Sequence, residues 1–70
     1  MEKIEIGKYI YTGKPLRLGN CKLKTGDIIK VKDFGFGYVS VIVYFDIERL
    51  PKYNFGIGDY VIKRHLQKID

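Results

Sequence analysis

Apolar and polar residues alternate in twos along much of this chain, the spacing of strands with one wet face. The clearest case runs from Leu23 to Lys32. There Gly26-Asp27 supplies a turn, because glycine accepts positive φ and aspartate can hydrogen-bond the backbone two residues on. Beyond that turn Ile29 and Val31 share one face of a predicted strand, and Lys30 and Lys32 share the other. Upstream, Ile4 and Ile6 alternate with Lys3 and Glu5, which predicts a first strand that Gly7 bends or bulges. It continues through Lys8-Tyr9-Ile10-Tyr11, with both tyrosines opposite Ile10, and Thr12-Gly13-Lys14-Pro15 ends it with turn chemistry. Leu16 to Lys22 reads as an irregular loop, in which Leu16, Leu18 and the following Leu23 fold back onto the core.

Asp33-Phe34-Gly35-Phe36-Gly37 reads as a glycine-hinged connection whose two phenylalanines fit no period. Tyr38 to Phe45 is the most strand-prone run, with Val39, Val41, Val43 and Phe45 on one face and Tyr38, Ile42 and Tyr44 on the other. Pro51 cannot donate to a ladder, so residues 46–58 are expected to form a long, partly ordered loop. Its apolar residues, Ile47, Leu50, Tyr53, Phe55 and Ile57, either fold over one barrel end or present a patch to another protein or to an oligomer partner. Gly58-Asp59 repeats the turn pair ahead of a strand from Tyr60 to Ile62. Lys63-Arg64-His65-Leu66 suits one 3-10 turn, and Gln67-Lys68-Ile69 a last short strand. The expected fold is all-β: a small five-stranded barrel, which leaves no unpaired sheet edge, with a single 3-10 turn near the C-terminus.

Length and composition narrow the function. A chain of 70 residues makes one domain, 1–70, and buries only about 60% of its unfolded surface, too little for a sizeable active-site cavity. Hydrophobic content of 46% and ten aromatic residues exclude a disordered chain even at a net charge of +5. Cys21 stands alone, so there is no internal disulfide and no cysteine-built zinc site, and His65 is the single histidine, with no Ser/His/Asp grouping around it. Gly35-Phe36-Gly37 and Gly56-Ile57-Gly58 open no predicted helix and read as turns, not phosphate cradles. No enzyme, cofactor or metal is expected. The N-terminal residues lack a signal-peptide pattern and the longest apolar run, Val41 to Phe45, is too short to span a bilayer, so a cytoplasmic protein without membrane attachment is expected.

Lys8-Tyr9-Ile10-Tyr11-Thr12-Gly13, the turn and strand from Leu23 to Val31, and the ending from Gly58 to Ile69 together resemble the Src-homology-3 barrel family. The resemblance covers most of the chain from Lys8 onward. It implies a barrel opened by paired tyrosines before a long loop and closed by a strand, a 3-10 turn and a final strand. Family members that bind proline-rich peptides use a tryptophan, a proline after the penultimate strand and an acidic loop. This chain has no tryptophan, Lys63 stands at the proline position, and its loop carries Lys14, Arg17, Lys22 and Lys24 with no acid. A partner at the same surface should therefore be acidic.

Thirteen Lys and Arg against eight Asp and Glu point the same way. The expected function is a non-catalytic protein-interaction module whose basic, tyrosine-containing face docks an acidic protein surface. Tyr9, Tyr11, Lys14, Arg17, Tyr38, Lys63, Arg64 and Leu66 are its candidate contacts. An alternative is a nucleic-acid-binding barrel of little sequence preference, with Lys22, Lys24, Lys30, Lys32 and Lys68 meeting phosphates. A third is a small structural or inhibitory component, cellular or viral, of a larger assembly.

Overall fold

The computed structural model describes residues 4–69, so Lys3 of the first predicted strand lies outside the described residues. Its strands are β1 (Gly7–Tyr11), β2 (Leu16–Leu18), β3 (Cys21–Leu23), β4 (Ile28–Phe36), β5 (Val41–Ile47), β6 (Leu50–Gly58) and β7 (Leu66–Lys68). A helical turn, α1 (Asp59–Ile62), and a 3-10 turn (Lys63–His65) join β6 to β7. Five strands form one antiparallel sheet in the order β6-β5-β4-β1-β7, and β2 and β3 form a separate hairpin. The all-β expectation holds, but the sheet does not close into a barrel: among the described residues β6 and β7 remain its two edges.

Period-two alternation puts the core on one face of this sheet. Tyr9 lies opposite Ile29, Ile29 opposite Ile47, and Val31 opposite Phe45, and all of them are buried. On the reverse face Lys8, Lys30 and Asp46 line up across three strands. Tyr11 from β1, Val43 from β5, Leu23 from β3, Ile62 from α1, Leu66 from β7 and Ile4 complete the core.

The buried Tyr9 is affordable because its hydroxyl donates to the Glu5 carbonyl at 3.0 Å and accepts the Glu5 N–H at 2.8 Å. This tie draws residues 4–6 out of the predicted strand: Ile4 is buried, Ile6 is 56% exposed, and β1 starts at Gly7 with φ +148°.

At β4 the sequence reading breaks down for a physical reason. Its register against β5 shifts between Val31 and Asp33, which inserts one extra residue. Ile29 and Val31 face inward before the bulge, and Phe34, opposite Val43, faces inward after it. The glycine-hinged connection expected at Asp33–Gly37 is thus the second half of β4 with its phase switched. Gly35 lets this segment lie under Tyr44: a Cβ there would come within 2.8 Å of the ring, as would one at Gly56 on the other side.

Four further expectations are corrected. Leu16 to Lys22 is mostly the β2–β3 hairpin, turned by Gly19 at φ +64°. Tyr38 and Val39 sit in the β4–β5 turn, and the strand begins at Val41. Residues 46–58 are the end of β5 and all of β6; pairing is regular from Phe55 to Gly58, and Pro51 falls where the register breaks before it. Tyr60 to Ile62 is helical, so Ile62 plugs the core while Tyr60 is 63% exposed.

Tyr9→Phe should cost about 1–2 kcal/mol by stranding the Glu5 N–H, read as a lower urea midpoint at unchanged m. An unchanged midpoint would mean the hydroxyl does not hold the N-terminal segment.

Candidate functional site

The turn pair Gly26-Asp27 builds one end of the molecule. Gly26, at φ +94°, donates its N–H to the Tyr11 carbonyl, and the Tyr11 N–H donates to the Asp27 carbonyl. The Asp27 carboxylate accepts the Lys24 N–H at 2.8 Å and a two-point contact from Arg49, Nε at 3.0 Å and Nη2 at 2.8 Å. Arg49 Nη2 also donates to the Lys22 carbonyl at 2.7 Å, so the β5–β6 turn clamps the β2–β3 hairpin. The Arg49 side chain, followed by burial acting in the opposite sense, leaves the Asp27 carboxyl below its ordinary range.

The candidate contacts do not gather as one face. Tyr9 and Tyr11 are core residues at 0% and 4% exposure, and Leu66, opposite Tyr11, is buried with them. They offer a partner almost no surface. Tyr11 donates its hydroxyl to the Lys14 carbonyl and meets the His65 ring edge-on at 6.2 Å, and burial pushes its phenol pKa up. This brings Lys14 beside the 3-10 turn that carries Lys63, Arg64 and His65. Arg17 is on the separate hairpin, its guanidinium turned to the Gly19 carbonyl at 3.3 Å.

The lysines of the nucleic-acid alternative are exposed but scattered and partly neutralised. Lys32 pairs with Asp46 at 2.8 Å and donates to Asn54, Lys68 pairs with Glu5 at 3.3 Å, and Lys30 lies across the ladder from Asp46. Lys22 and Lys24 flank Leu23 at the end held by Arg49. Of the candidate oligomer residues, Ile47 is fully buried, Leu50 and Phe55 are half-buried, and Tyr53 is exposed.

What the structure assembles instead is a cleft of about 390 Å³ between the far half of the β4–β5 hairpin and α1. Ile4, Phe34, Phe36, Val41 and Val43 make its apolar walls, with Asp59 and Lys63 at the rim. Phe36 and Val41 face each other across the ladder on the inward side, beyond the reach of the core's cover. Phe36 is 98% exposed, and the adjacent turn carries Tyr38 and Val39 at 107% and 84%. The available sequence signal was the pair of phenylalanines left without a period; a bulge before Phe34 gives them one.

No protein-family model matches this chain, and neither a curated protein nor a solved structure does. Among the described residues no three metal-ligating side chains gather, and no helix is long and apolar enough to cross a membrane.

The Asp27 carboxyl is depressed in the folded state, so the stability it confers is complete above its unfolded value of about 3.9 and is lost as pH falls through the lower folded value. Chemical denaturation of the parent and of Arg49→Ala should therefore differ most at neutral pH and converge under acid. A gap that stays constant down to strongly acidic pH would show that Arg49 acts through the Lys22 carbonyl and packing, not through the Asp27 carboxylate.

Proposed function

We propose that this chain is a non-catalytic protein-interaction module that docks an acidic partner at the cleft between the β4–β5 hairpin and α1. The observation that carries the reading is the near-complete exposure of Phe36, Tyr38 and Val39 beside an apolar cleft. A small monomer rarely leaves contiguous aromatic surface uncovered, and such surface marks interaction sites. Lys63 at the rim, Arg64 next to it and the net charge of +5 favour an acidic partner.

The fold we infer is an open variant of the Src-homology-3-like barrel. Three features support it: a hairpin between the first two sheet strands, a last strand reached through a 3-10 turn, and pairing of that strand with the first. Lys63, at the position of the family's groove proline, also lines the cleft. The anchors differ from those suggested by the paired tyrosines, because Tyr9 and Tyr11 are spent on the core and Phe36 and Tyr38 take that role.

A displayed library of random peptides, with short single- and double-stranded oligonucleotides as competitors, tests this reading. The peptides retained should be acidic with a bulky apolar residue. Phe36→Ser with Tyr38→Ser should weaken them at least about thirtyfold, the scale of a hot-spot loss. Lys63→Glu should weaken them about tenfold, less so at high salt. Retention of peptides indifferent to all three changes, or binding of oligonucleotides alone with a steep salt dependence, would overturn it.

A further inference from the structure

The β2–β3 hairpin stands apart from the five-stranded sheet, and its charges are set against one another. Arg17 and Lys22 lie directly opposite across its ladder, and both are exposed. Like charges so placed repel, where an acid on either strand would have stabilised the pair. Lys24, two residues beyond Lys22, continues the wet side of β3 past its end, and Lys14 stands exposed at the entry to β2.

One carboxylate offsets them. Residues 12–26 contain no Asp or Glu, and among the described residues the ion pairs are Lys32–Asp46, Arg49–Asp27 and Lys68–Glu5. Asp27, next along the chain, is already engaged by the Arg49 guanidinium and the Lys24 N–H. Arg49 brings a further cation with it, since its Nη2 also reaches the Lys22 carbonyl. Glu48, on the same turn, lines instead the shallow groove that holds Lys8 and Lys30. Lys14, Arg17, Lys22, Lys24 and Arg49 thus stand against Asp27 alone at this end of the molecule.

The hairpin also holds these charges in place. Leu23 is buried in the core, the Thr25 hydroxyl donates to the Gly13 carbonyl, the Tyr11 hydroxyl donates to the Lys14 carbonyl, and Arg17 gives its Nε to the Gly19 carbonyl at 3.3 Å. What the surface lacks is an anchor for a protein. None of the large apolar side chains exposed among the described residues falls between Thr12 and Gly26, and protein interfaces draw most of their energy from such anchors. Charge without an anchor suits a partner that is itself a regular line of charge.

We propose that the β2–β3 hairpin is a second binding surface, which takes the phosphate backbone of a nucleic-acid duplex without reading its sequence. A duplex carries one negative charge per about 1.7 Å of axis, and Lys14, Arg17, Lys22 and Lys24 each displace a counterion from it. Single strands are held through stacking on aromatic side chains as well, and residues 12–26 include no aromatic. Of the lysines expected from the sequence to meet phosphates, Lys22 and Lys24 belong to this surface, whereas Lys30, Lys32 and Lys68 do not.

Fluorescence anisotropy of a short, mixed-sequence duplex titrated with the full chain, at salt from about 50 to about 200 mM, tests the assignment. The dissociation constant should rise with a log–log slope of about 3–4, close to one for each of the four cations. Arg17→Gln with Lys22→Gln should lower that slope by about 2 and weaken binding at least about tenfold at the lowest salt. Its melting temperature should stay level or rise, because the repulsion across the ladder is gone. Lys30→Gln with Lys52→Gln removes the same charge elsewhere and should leave the affinity within about twofold of the parent's. Absence of duplex binding at the lowest salt, equal losses in the two double variants, or binding of poly-glutamate as tight as that of the duplex would each overturn the proposal. Peptide capture at the cleft is a separate result, because no residue of the hairpin lines the cleft. Phe36→Ser with Tyr38→Ser should therefore leave duplex binding intact, and the hairpin variant should leave peptide capture intact.

Discussion

Side chains alternate between the faces of a strand, and the inward residues of β4 are odd-numbered at Ile29 and Val31 but even-numbered at Phe34 and Phe36, so both sets can face one core only if a residue is inserted between them. The bulge between Val31 and Asp33 is that insertion. Before it, Ile29 and Val31 pack against Tyr9, Phe45 and Ile47; after it, Phe34 meets Val43. The first half of β4 belongs to the closed part of the core and the second half runs past it. Phe36 and Val41 are therefore inward-facing without a lid, and the cleft is what remains between them and α1.

A core this thin needs its polar groups tied off. The Tyr9 hydroxyl does this at the N-terminal side, exchanging two hydrogen bonds with Glu5. Asp27 does it at the other end, where one carboxylate serves the Lys24 N–H and the Arg49 guanidinium, and Arg49 reaches on to the Lys22 carbonyl. The two ties explain why residues that look like ligand contacts in the sequence are structural: a tyrosine pair one residue apart on a strand shares one face, and here that face is the core.

What was legible in the sequence follows from which signals are local. The Gly26-Asp27 turn, the alternation of Ile29 and Val31 with Lys30 and Lys32, the opposition of Ile10 to Tyr9 and Tyr11, and the 3-10 turn at Lys63 to His65 depend on neighbours a few residues away. The missed features depend on register or on tertiary need. Pro51 reads as a loop marker, yet it sits in the irregular part of an edge strand. Tyr60 to Ile62 has strand propensity, but one helical turn delivers Ile62 to the core and overrides it. Leu16-Arg17-Leu18 and Cys21-Lys22-Leu23 are each too short to stand out from a loop, although Gly19-Asn20 between them is turn chemistry. The cleft was hidden for the same reason as the second half of β4, since no single-strand period links Val31 to Phe34.

The proposed docking surface is the apolar cleft that the phase switch in β4 leaves open. The most direct measurement is a solution NMR titration of the labelled chain with an acidic, aromatic-bearing peptide, following every backbone amide. Docking at the cleft should confine the shifts to Phe34–Val41 and Asp59–Arg64, its two sides. Shifts gathered instead on Lys8, Lys22, Lys24 and Lys30, with the cleft amides unmoved, would contradict it.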